Sequence, residues 1–493
     1  MYFFKSALFS LVTLTGQFCL CWAQTTVSKA DVESHLRFLS SDELQGRKTG
    51  EIGADVAARY IAEQFRRNGV LPAPGASNYL QQIPFKKVTP PEQVSIEIGD
   101  SSLIDLADVI LISKLDLQIE SPVIFANFAS DSDLEGMDVE GKIVLARLGN
   151  ENTSGAQEGF QYSKIKRKNV LGQGAVALLE IYHGRLPWNL IKNYLGQERT
   201  VVAGDANEAS LTHLVINREL NDEIAMLENG ADLLGKVRIE GGISTVTPSA
   251  NVIGYIEGSD PQLKEQYIVL SAHYDHVGMR SRPDKPETGF DSIFNGARDN
   301  AFGVSALLTA GEYLAAQPPR RSILLVAFTG EEIGLLGSKY FVENPIVPLN
   351  QMVFNLNTDG AGYNDTTIIS IMGLNRVGAH EELTQACHAY GLEPFADPAP
   401  NQGLFDRSDN VSFAKVGIPA PTFSPGFREF DQTILENYHQ PSDEVSGLDF
   451  NYVHKFCRAF ALAARLIADK TEQPRWSLGD KYEKAFEDLY NSN

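Results

Sequence analysis

Five residues that could bind metal ions are spread over the second half of the chain. They are two histidines and three carboxylates, each placed where a strand gives way to a loop or where a helix begins: His273, Asp299, Glu332, Asp359 and His439. In an open α/β sheet, ligands collect beyond the carboxyl ends of the strands. Two imidazoles and three carboxylates converging there could hold a pair of zinc ions. Such a pair polarises a carbonyl group and supplies hydroxide at neutral pH, so the pattern predicts a hydrolase.

These residues stand in short motifs that follow one another in a characteristic order. The motifs are His273-Tyr274-Asp275, Asp299-Asn300-Ala301-Phe302-Gly303, Glu331-Glu332, Asn357-Thr358-Asp359-Gly360-Ala361-Gly362 and the late His439. In order and rough spacing the set resembles peptidase family M28, the dinuclear-zinc peptidases that include bacterial aminopeptidases and glutamate carboxypeptidases. The segment 44–50 also resembles the amino-terminal part of that family. The resemblance implies an α/β fold with a mixed, mostly parallel sheet flanked by helices, of the zinc-exopeptidase type.

The resemblance further implies how the ligands are shared between two ions. One zinc ion would take His273 and Asp359, and the other would take Glu332 and His439. Asp299 would bridge both ions, because one carboxylate has two oxygens and can hold two cations a few ångströms apart. The predicted cofactor is therefore Zn²⁺, with two ions per chain.

The two adjacent glutamates are predicted to have different roles. Neighbouring side chains that leave a strand point to opposite sides, so one can bind metal while the other addresses water. The resemblance makes Glu331 the general base and Glu332 the ligand. Asp275 is predicted to accept a hydrogen bond from the second ring nitrogen of His273, which would fix the tautomer of that ring. His276 lies in the same loop and is expected to line the cleft or the surface.

Other polar residues near the predicted cleft leave the substrate contacts open. Arg298 and Arg407 could each bind a substrate carboxylate, or they could be solvated at the surface. Asn410 stands where the family commonly has a histidine. Asp443 could orient the loop that carries His439, or it could lie at the surface.

Composition narrows the range of partners. The chain has 493 residues, a net charge of −21 and a pI near 4.9, which argues against nucleic acid or an anionic membrane as a partner. After the first residues no apolar span is long enough to cross a membrane, so no transmembrane segment is predicted in the mature chain. Peptide substrates are the predicted partners, and the sequence leaves the oligomeric state open.

The amino terminus reads as a secretory signal peptide, with one positive charge, a short apolar stretch and small residues at its end. Cleavage is predicted after Ala23, so the protein is predicted to be exported to the periplasm or the exterior. A lipoprotein anchor at Cys19 or Cys21 is less favoured, because bulky residues precede both. The two remaining cysteines, Cys387 and Cys457, are predicted to be buried thiols, with a disulfide as the alternative that an oxidising compartment would permit.

Changes in local composition and in the pattern of apolar residues along the chain predict the domain organisation. After a signal peptide at 1–23, residues 24–90 and 247–473 are predicted to form an M28-like zinc peptidase domain. Residues 91–246 contain short β-type runs and resemble a protease-associated domain inserted into it. The polar residues 474–493 are expected to form a peripheral tail.

Periodic apolar residues predict individual elements within the peptidase domain. Helices are expected at 52–69, 304–316 and 448–470, where apolar residues recur with helical spacing. Continuous apolar runs at 267–270 and 323–328 predict buried strands.

The favoured function is an exported zinc-dependent exopeptidase of the aminopeptidase branch. A carboxypeptidase of the glutamate carboxypeptidase type would need cationic groups for the terminal carboxylate. A glutaminyl cyclase works with one zinc ion, and the predicted insert argues against it. A peptidase-like binding protein without catalysis would be expected to lack ligands, and none of the five is missing.

Overall fold

The structure is a computed structural model, and it describes residues 27–99, 101–113, 117–153, 156–184, 187–203, 211–242, 244–280 and 291–491. The predicted signal peptide and the two cysteines weighed as lipid anchors lie outside these residues. Within the described ranges, no helix combines the length and the apolar character needed to cross a membrane.

Helices and strands alternate along most of the described chain. The helices are α1 Lys29–Leu39, α2 Ile52–Arg67, α3 Asp131–Leu134, α4 Ala156–Gly172, α5 Trp188–Leu195, α6 Asn221–Glu228, α7 Phe302–Ala316, α8 Leu336–Glu343, α9 His380–His388, α10 Asn410–Lys415, α11 Gln432–Leu435, α12 Phe450–Asp469 and α13 Glu483–Asn491. The strands are β1 Leu71–Pro72, β2 Leu80–Ile83, β3 Phe85–Val88, β4 Gln93–Ile98, β5 Ser101–Asp105, β6 Val109–Ser113, β7 Leu117–Phe125, β8 Ile143–Arg147, β9 Ala177–Ile181, β10 Arg199–Val202, β11 Thr212–Ile216, β12 Leu234–Glu240, β13 Ser244–Val246, β14 Ser249–Ile256, β15 Tyr267–His273, β16 Ser322–Phe328, β17 Met352–Thr358, β18 Ile368–Met372, β19 Glu393–Ala396 and β20 Thr422–Pro425.

The larger sheet has nine strands in the order β1-β14-β16-β15-β17-β20-β18-β19, with β2 also paired to β14. Its central strands β16, β15, β17 and β20 are parallel neighbours. Antiparallel pairs lie towards both sides, such as β14 with β16 and β18 with β20. The predicted mixed α/β sheet flanked by helices is therefore confirmed, with four parallel strands at the centre and a further parallel pair, β18 and β19, at one edge.

Strand β15 is buried on both faces, which explains its uninterrupted apolar sequence. Ile268, Leu270 and Ala272 belong to the core that includes α7 and α12. Tyr267 and Val269 belong to the opposite core, which includes residues of α8 and α10. Because successive side chains of a strand point to opposite faces, the two cores pack against the two faces of the same strand. The residue that ends β15 is therefore held in a fixed position.

A second sheet of eight strands is built between Gln93 and Glu240, in the order β5-β4-β12-β7-β8-β9-β11-β6. It has an apolar core of its own, which includes Ile96, Ile143 and Val237. A three-stranded sheet, β10-β3-β13, combines strands from both sides of the predicted boundary at residue 90. The peptidase part and the insert are therefore joined by strand pairing, and the assignment of the insert as a protease-associated type stays a prediction.

The carboxyl-terminal residues are not the peripheral tail that was expected. Trp476 and Phe486 are buried, at 5% exposure each, and belong to the larger core. The Trp476 ring nitrogen donates a hydrogen bond to the Gly417 carbonyl at 3.0 Å, and Arg376 pairs with Asp480 at 2.7 Å. The expectation of a peripheral tail was wrong because it rested on overall polarity. A few aromatic side chains among the polar residues bury apolar area that overall composition does not reveal.

Candidate metal centre

Three parallel strands bring the predicted site residues to one edge of the larger sheet. His273 is the last residue of β15, and it is aligned with Phe328 at the end of β16. The two glutamates follow β16, and Asp359 follows β17 directly. Because the strands are parallel, their carboxyl ends open onto the same crevice.

The other two predicted ligands arrive from loops. Asp299 lies in the irregular turn Ala297–Ala301 just before α7, and the peptide bond that follows it is cis. His439 lies in the loop between α11 and α12 with a φ of 54°, in the left-handed region that a histidine seldom adopts.

The structure brings all five predicted ligands together in two groups that share one carboxylate. In the first group, His273 Nε2 lies 3.1 Å from Asp359 Oδ1 and 3.3 Å from Asp299 Oδ1. In the second group, His439 Nε2 lies 3.1 Å from Asp299 Oδ2 and 3.1 Å from Glu332 Oε2. Each oxygen of Asp299 therefore faces a different group.

One further histidine joins the second group, although sequence reasoning assigned it only to the cleft wall or the surface. His276 is buried, and its Nδ1 lies 2.7 Å from Glu332 Oε1. The potential ligand atoms of His276, Asp299, Glu332 and His439 lie within 4.8 Å of one another. The signal in the sequence was its position three residues after His273. Position alone could not show that the side chain points towards the donor groups, because its direction depends on the loop conformation.

Buried carboxylates dominate the electrostatics of this centre. Burial lowers the pKa of the His273 ring, but the charges of Asp359 and Glu331 outweigh burial and raise that pKa well above its usual value. Burial also lowers the pKa of His439, but hydrogen bonds to Asp299 and Glu332 outweigh burial and raise that pKa to about 10.

The pKa of the shared carboxylate, Asp299, is set by the same two opposing effects, burial and hydrogen bonding. Burial raises the pKa of Asp299, but its hydrogen bonds with both imidazoles hold that pKa well below its usual value. The pocket thus favours positive charge on His273 and His439. A donor set of nitrogen and carboxylate oxygen atoms in such a field fits zinc.

The adjacent glutamates point to different places, as the alternation of side chains predicts. Glu331 lines the cavity beside the two groups, whereas Glu332 contacts His276 and His439. Burial raises the pKa of the Glu331 carboxyl well above its usual value, and the negative charges of Asp359, Asp409 and Glu332 add to the effect. The Glu331 carboxyl is therefore suited to accepting and holding a proton.

Asp275 contacts His273 differently from the prediction. The Nδ1 atom of His273 lies 3.1 Å from the main-chain oxygen of Asp275, whereas the carboxylate is 3.9 Å away, too far for a hydrogen bond. The carboxylate accepts hydrogen bonds from Thr49 Oγ1 at 2.8 Å and from the Glu331 main-chain nitrogen at 3.2 Å. Asp275 thus orients His273 through its backbone and the Glu331 segment through its side chain.

The two arginines near the cleft are in different environments. Arg298 is buried, and its guanidinium pairs with Asp443 at 3.0 Å and donates to the carbonyls of Glu444 and Gly447. Solvation does not fit Arg298, because it is buried, and binding of a substrate carboxylate is disfavoured, because its guanidinium already donates to Asp443 and two main-chain carbonyls. Arg407 is exposed and lines the cavity.

Asp443 is buried rather than at the surface. Its carboxylate accepts hydrogen bonds from the main-chain nitrogens of Arg298 and Asp299, at 3.0 and 3.2 Å. Asp443 therefore ties the loop of His439 to the backbone of the shared ligand.

Comparisons with known proteins agree with this geometry. The sequence profile of peptidase family M28 matches residues 251–464, which include all five predicted ligands. Residues 251–464 form an M28 domain. The prediction of an M28 peptidase domain is confirmed for these residues, and the predicted enzyme class, a zinc metallopeptidase, agrees with that family.

Two relatives each match part of the chain. The chain is 28% identical over 206 residues to aminopeptidase YwaD of Bacillus subtilis, covering 41% of this chain and 40% of that protein. It is 35% identical over 239 residues to a vacuolar membrane protease of Kluyveromyces lactis, covering 47% of this chain and 23% of that protein. The chain therefore matches less than half the length of either relative.

A solved structure shares the overall fold. An aminopeptidase from Aneurinibacillus sp. strain AM-1 superposes with a TM-score of 0.51 at 20% identity, covering 90% of this chain and 95% of that one. At this identity the likeness concerns the fold.

The side chains that line the cavity beside the M28 site include an acidic set and an apolar set, called here its acidic and apolar walls. Its volume is about 90 Å³. The apolar wall comprises Met372, Leu404, Phe427, Phe430 and Tyr438. Tyr438 also stacks on the ring of His439, with centroids 4.1 Å apart and planes at 29°.

The loops of the M28 site are held by Arg47, from the amino-terminal segment. This side chain is 1% exposed and donates hydrogen bonds to four main-chain carbonyls. Its partners are Tyr274 at 2.8 Å, Asn295 at 2.6 Å, Gly296 at 3.0 Å and Leu39. Burial lowers the pKa of Arg47 to about 10, so the group remains charged at neutral pH. One cation thus joins the loop after β15 to the loop before Asp299.

Replacing Arg47 by Met is expected to lower the free energy of unfolding by roughly 3–5 kcal/mol, because buried carbonyls lose their donor and nearby carboxylates lose a cation. Chemical denaturation with a fluorescence readout measures the change. Arg66→Met is the matched control, since the Arg66 side chain is 62% exposed and should shift stability by no more than about 0.5 kcal/mol. Equal effects in both variants would contradict the anchoring role of Arg47.

Proposed function

We propose that this chain is an exported, zinc-dependent aminopeptidase with two zinc ions per chain. The observation that carries the proposal is the position of Asp299, whose two oxygens face two separate groups of donors. One ion would be held by His273, Asp359 and Asp299. The other would be held by Glu332, His439 and the second oxygen of Asp299.

The chemistry that zinc supplies when bound is Lewis acidity, which polarises a carbonyl group and makes water more acidic. The remaining work falls to residues of the chain. Glu331 lines the cavity and takes the proton of the attacking water, then returns it to the leaving amine. Asp275 supports this step indirectly, since its carboxylate accepts a hydrogen bond from the Glu331 main chain.

The composition of the cavity lining supports cleavage at the amino-terminal end of a peptide. The apolar wall formed by Met372, Leu404, Phe427, Phe430 and Tyr438 would favour an apolar side chain there. Carboxylates line the same cavity and can accept hydrogen bonds from an α-amine, which favours the amino terminus of a peptide.

A carboxypeptidase is the second candidate, because one observation favours it. Arg407 lines the cavity, and a guanidinium can bind a carboxylate through two hydrogen bonds. We place this candidate second because, among the described residues that line the cavity, Arg407 is the one guanidinium, and its side chain is exposed. A single-zinc cyclase and a non-catalytic binding protein are disfavoured by the two complete donor groups.

Export and the identity of the insert are also parts of the proposal. The support for export is the charged, apolar and small-residue pattern of the first 23 residues. The support for a protease-associated type of insert is the sequence texture of residues 91–246, together with the separate sheet between Gln93 and Glu240.

Asp299→Ala should remove zinc from both positions, because both donor groups lose their shared carboxylate. Elemental analysis of protein dialysed against a weak chelator should fall from two zinc ions per chain to none. Asp222→Ala, at an exposed position in α6, should keep two ions and serves as the control. One zinc per chain in the unmodified protein, unchanged by Asp299→Ala, would rule out the dinuclear assignment.

Glu331→Gln should leave both zinc ions in place and lower kcat by about 10²–10⁴-fold, because an amide cannot accept the proton of the attacking water. Metal content and steady-state kinetics on the same preparation separate these effects. Glu332→Gln is the matched variant one residue away, and it should lose zinc from one position. If Glu332→Gln keeps its zinc while Glu331→Gln loses it, the two roles are reversed.

Substrate blocking tests the direction of attack. Peptides with an apolar first residue and a free amino terminus should be cleaved, whereas acetylation of that amine should abolish cleavage by removing its positive charge. Amidation of the carboxyl terminus should change kcat/KM by no more than a few-fold. Mass spectrometry of the products identifies the end that is shortened. Cleavage of acetylated peptides from the carboxyl end would support the carboxypeptidase candidate instead.

A further inference from the structure

His276 is held in a fixed orientation beside the second donor group. It is 1% exposed, and its main-chain nitrogen donates to the Arg47 carbonyl at 3.1 Å. A Cβ atom added at Gly296 would lie 2.6 Å from Cδ2 of the His276 ring, so that glycine leaves the space that the ring needs. On another side the ring meets His439 edge to face, with centroids 5.5 Å apart. The ring therefore has little freedom to turn.

The polar contact of His276 is with a predicted ligand. Its Nδ1 lies 2.7 Å from Glu332 Oε1. An ionised carboxylate only accepts hydrogen bonds, so Nδ1 carries the proton. The other oxygen, Glu332 Oε2, lies 3.1 Å from His439 Nε2. One end of the carboxylate is thus pinned by His276, while the other end faces the group that contains His439 and Asp299.

We propose that His276 is a positioning residue, whose Nδ1–H orients Glu332 so that Oε2 is presented to the ion shared with His439 and Asp299. This inference rests on the proposed dinuclear function. Hydrogen bonds to a ligating carboxylate fix its direction, and their loss weakens metal binding by about 10–100-fold. The effect should fall on one of the two ions, because His273 and Asp359 belong to the other group.

Direct ligation by His276 is the competing role. The Nε2 atom is buried and has no hydrogen-bonding partner among the described residues. However, the two nitrogens of an imidazole direct their bonds away from each other, and Nδ1 is the atom that addresses Glu332. The geometry therefore favours a role through Glu332 over a direct bond from Nε2.

Two substitutions separate these roles. His276→Asn keeps a donor near the position of Nδ1 but has nothing at Nε2, whereas His276→Leu has neither. Zinc per chain and zinc affinity are measured by competition with a chelator of known affinity, on the full chain. The absorption spectrum after Co²⁺ substitution gives an independent signal from each ion.

The expected result is that His276→Leu retains one tight zinc ion and binds the second about 10–100-fold more weakly. His276→Asn should restore the second affinity to within a few-fold of the unmodified protein. His35→Leu is the matched control, because His35 is also buried, at 4% exposure, but contacts Tyr60 away from the site. That control should bind both ions normally.

The opposite results are equally informative. Unchanged affinity for both ions in His276→Leu would overturn the inference, and so would an Asn variant as weak as the Leu variant, which would indicate ligation through Nε2. Should His276→Leu fail to fold, His276→Gln replaces it, since its longer amide does not place a donor at Nδ1. Failure of the unmodified protein to bind two ions would overturn the proposed function itself, which distinguishes the two failures.

Discussion

The arrangement of the site depends on repulsion between buried carboxylates. Asp275, Asp299, Glu331 and Glu332 lie close together at one edge of the sheet, where low polarity strengthens the interaction between like charges. Such a cluster persists only if positive groups offset it. The imidazoles supply part of that charge, as the raised pKa values of His273 and His439 indicate. A pair of dications would supply the rest.

Hydrogen bonds from other parts of the chain hold the loops that carry these carboxylates in place against the repulsion. Arg47 and Thr49 come from the start of the described chain, and they bind loops more than 200 residues away. Asp443 binds the backbone before α7 from the other direction. The strands themselves are clamped between two apolar cores, so the loops attach to rigid supports. The amino-terminal segment is therefore part of the M28 site, although it lies outside the stretch 251–464.

The order of elements and the ligand set could be predicted from the sequence, because each depends on local patterns. The predicted helices at 52–69 and 448–470 correspond to α2 and α12 within two residues at either end. Contacts between polar atoms could not be predicted, because they depend on loop backbone conformation. The left-handed φ of His439 costs about 1–2 kcal/mol in an ordinary residue, and nothing in the local sequence announces it. The same reason explains the contact of Asp275, the burial of Arg298 and the contact of His276 with Glu332.

One aromatic residue belongs to the apolar wall of the cavity and also contacts a residue of its acidic part. Tyr438 lines the apolar wall and stacks on His439, a predicted ligand in the acidic wall. Burial raises the pKa of the Tyr438 phenol, and the charges of Asp299 and Glu332 raise it further, so the ring stays neutral beside the carboxylates. A substrate side chain pressing on Tyr438 would therefore press on His439 as well. In the proposed enzyme, selection of the substrate side chain and the geometry of the donor groups would therefore depend on the same residue.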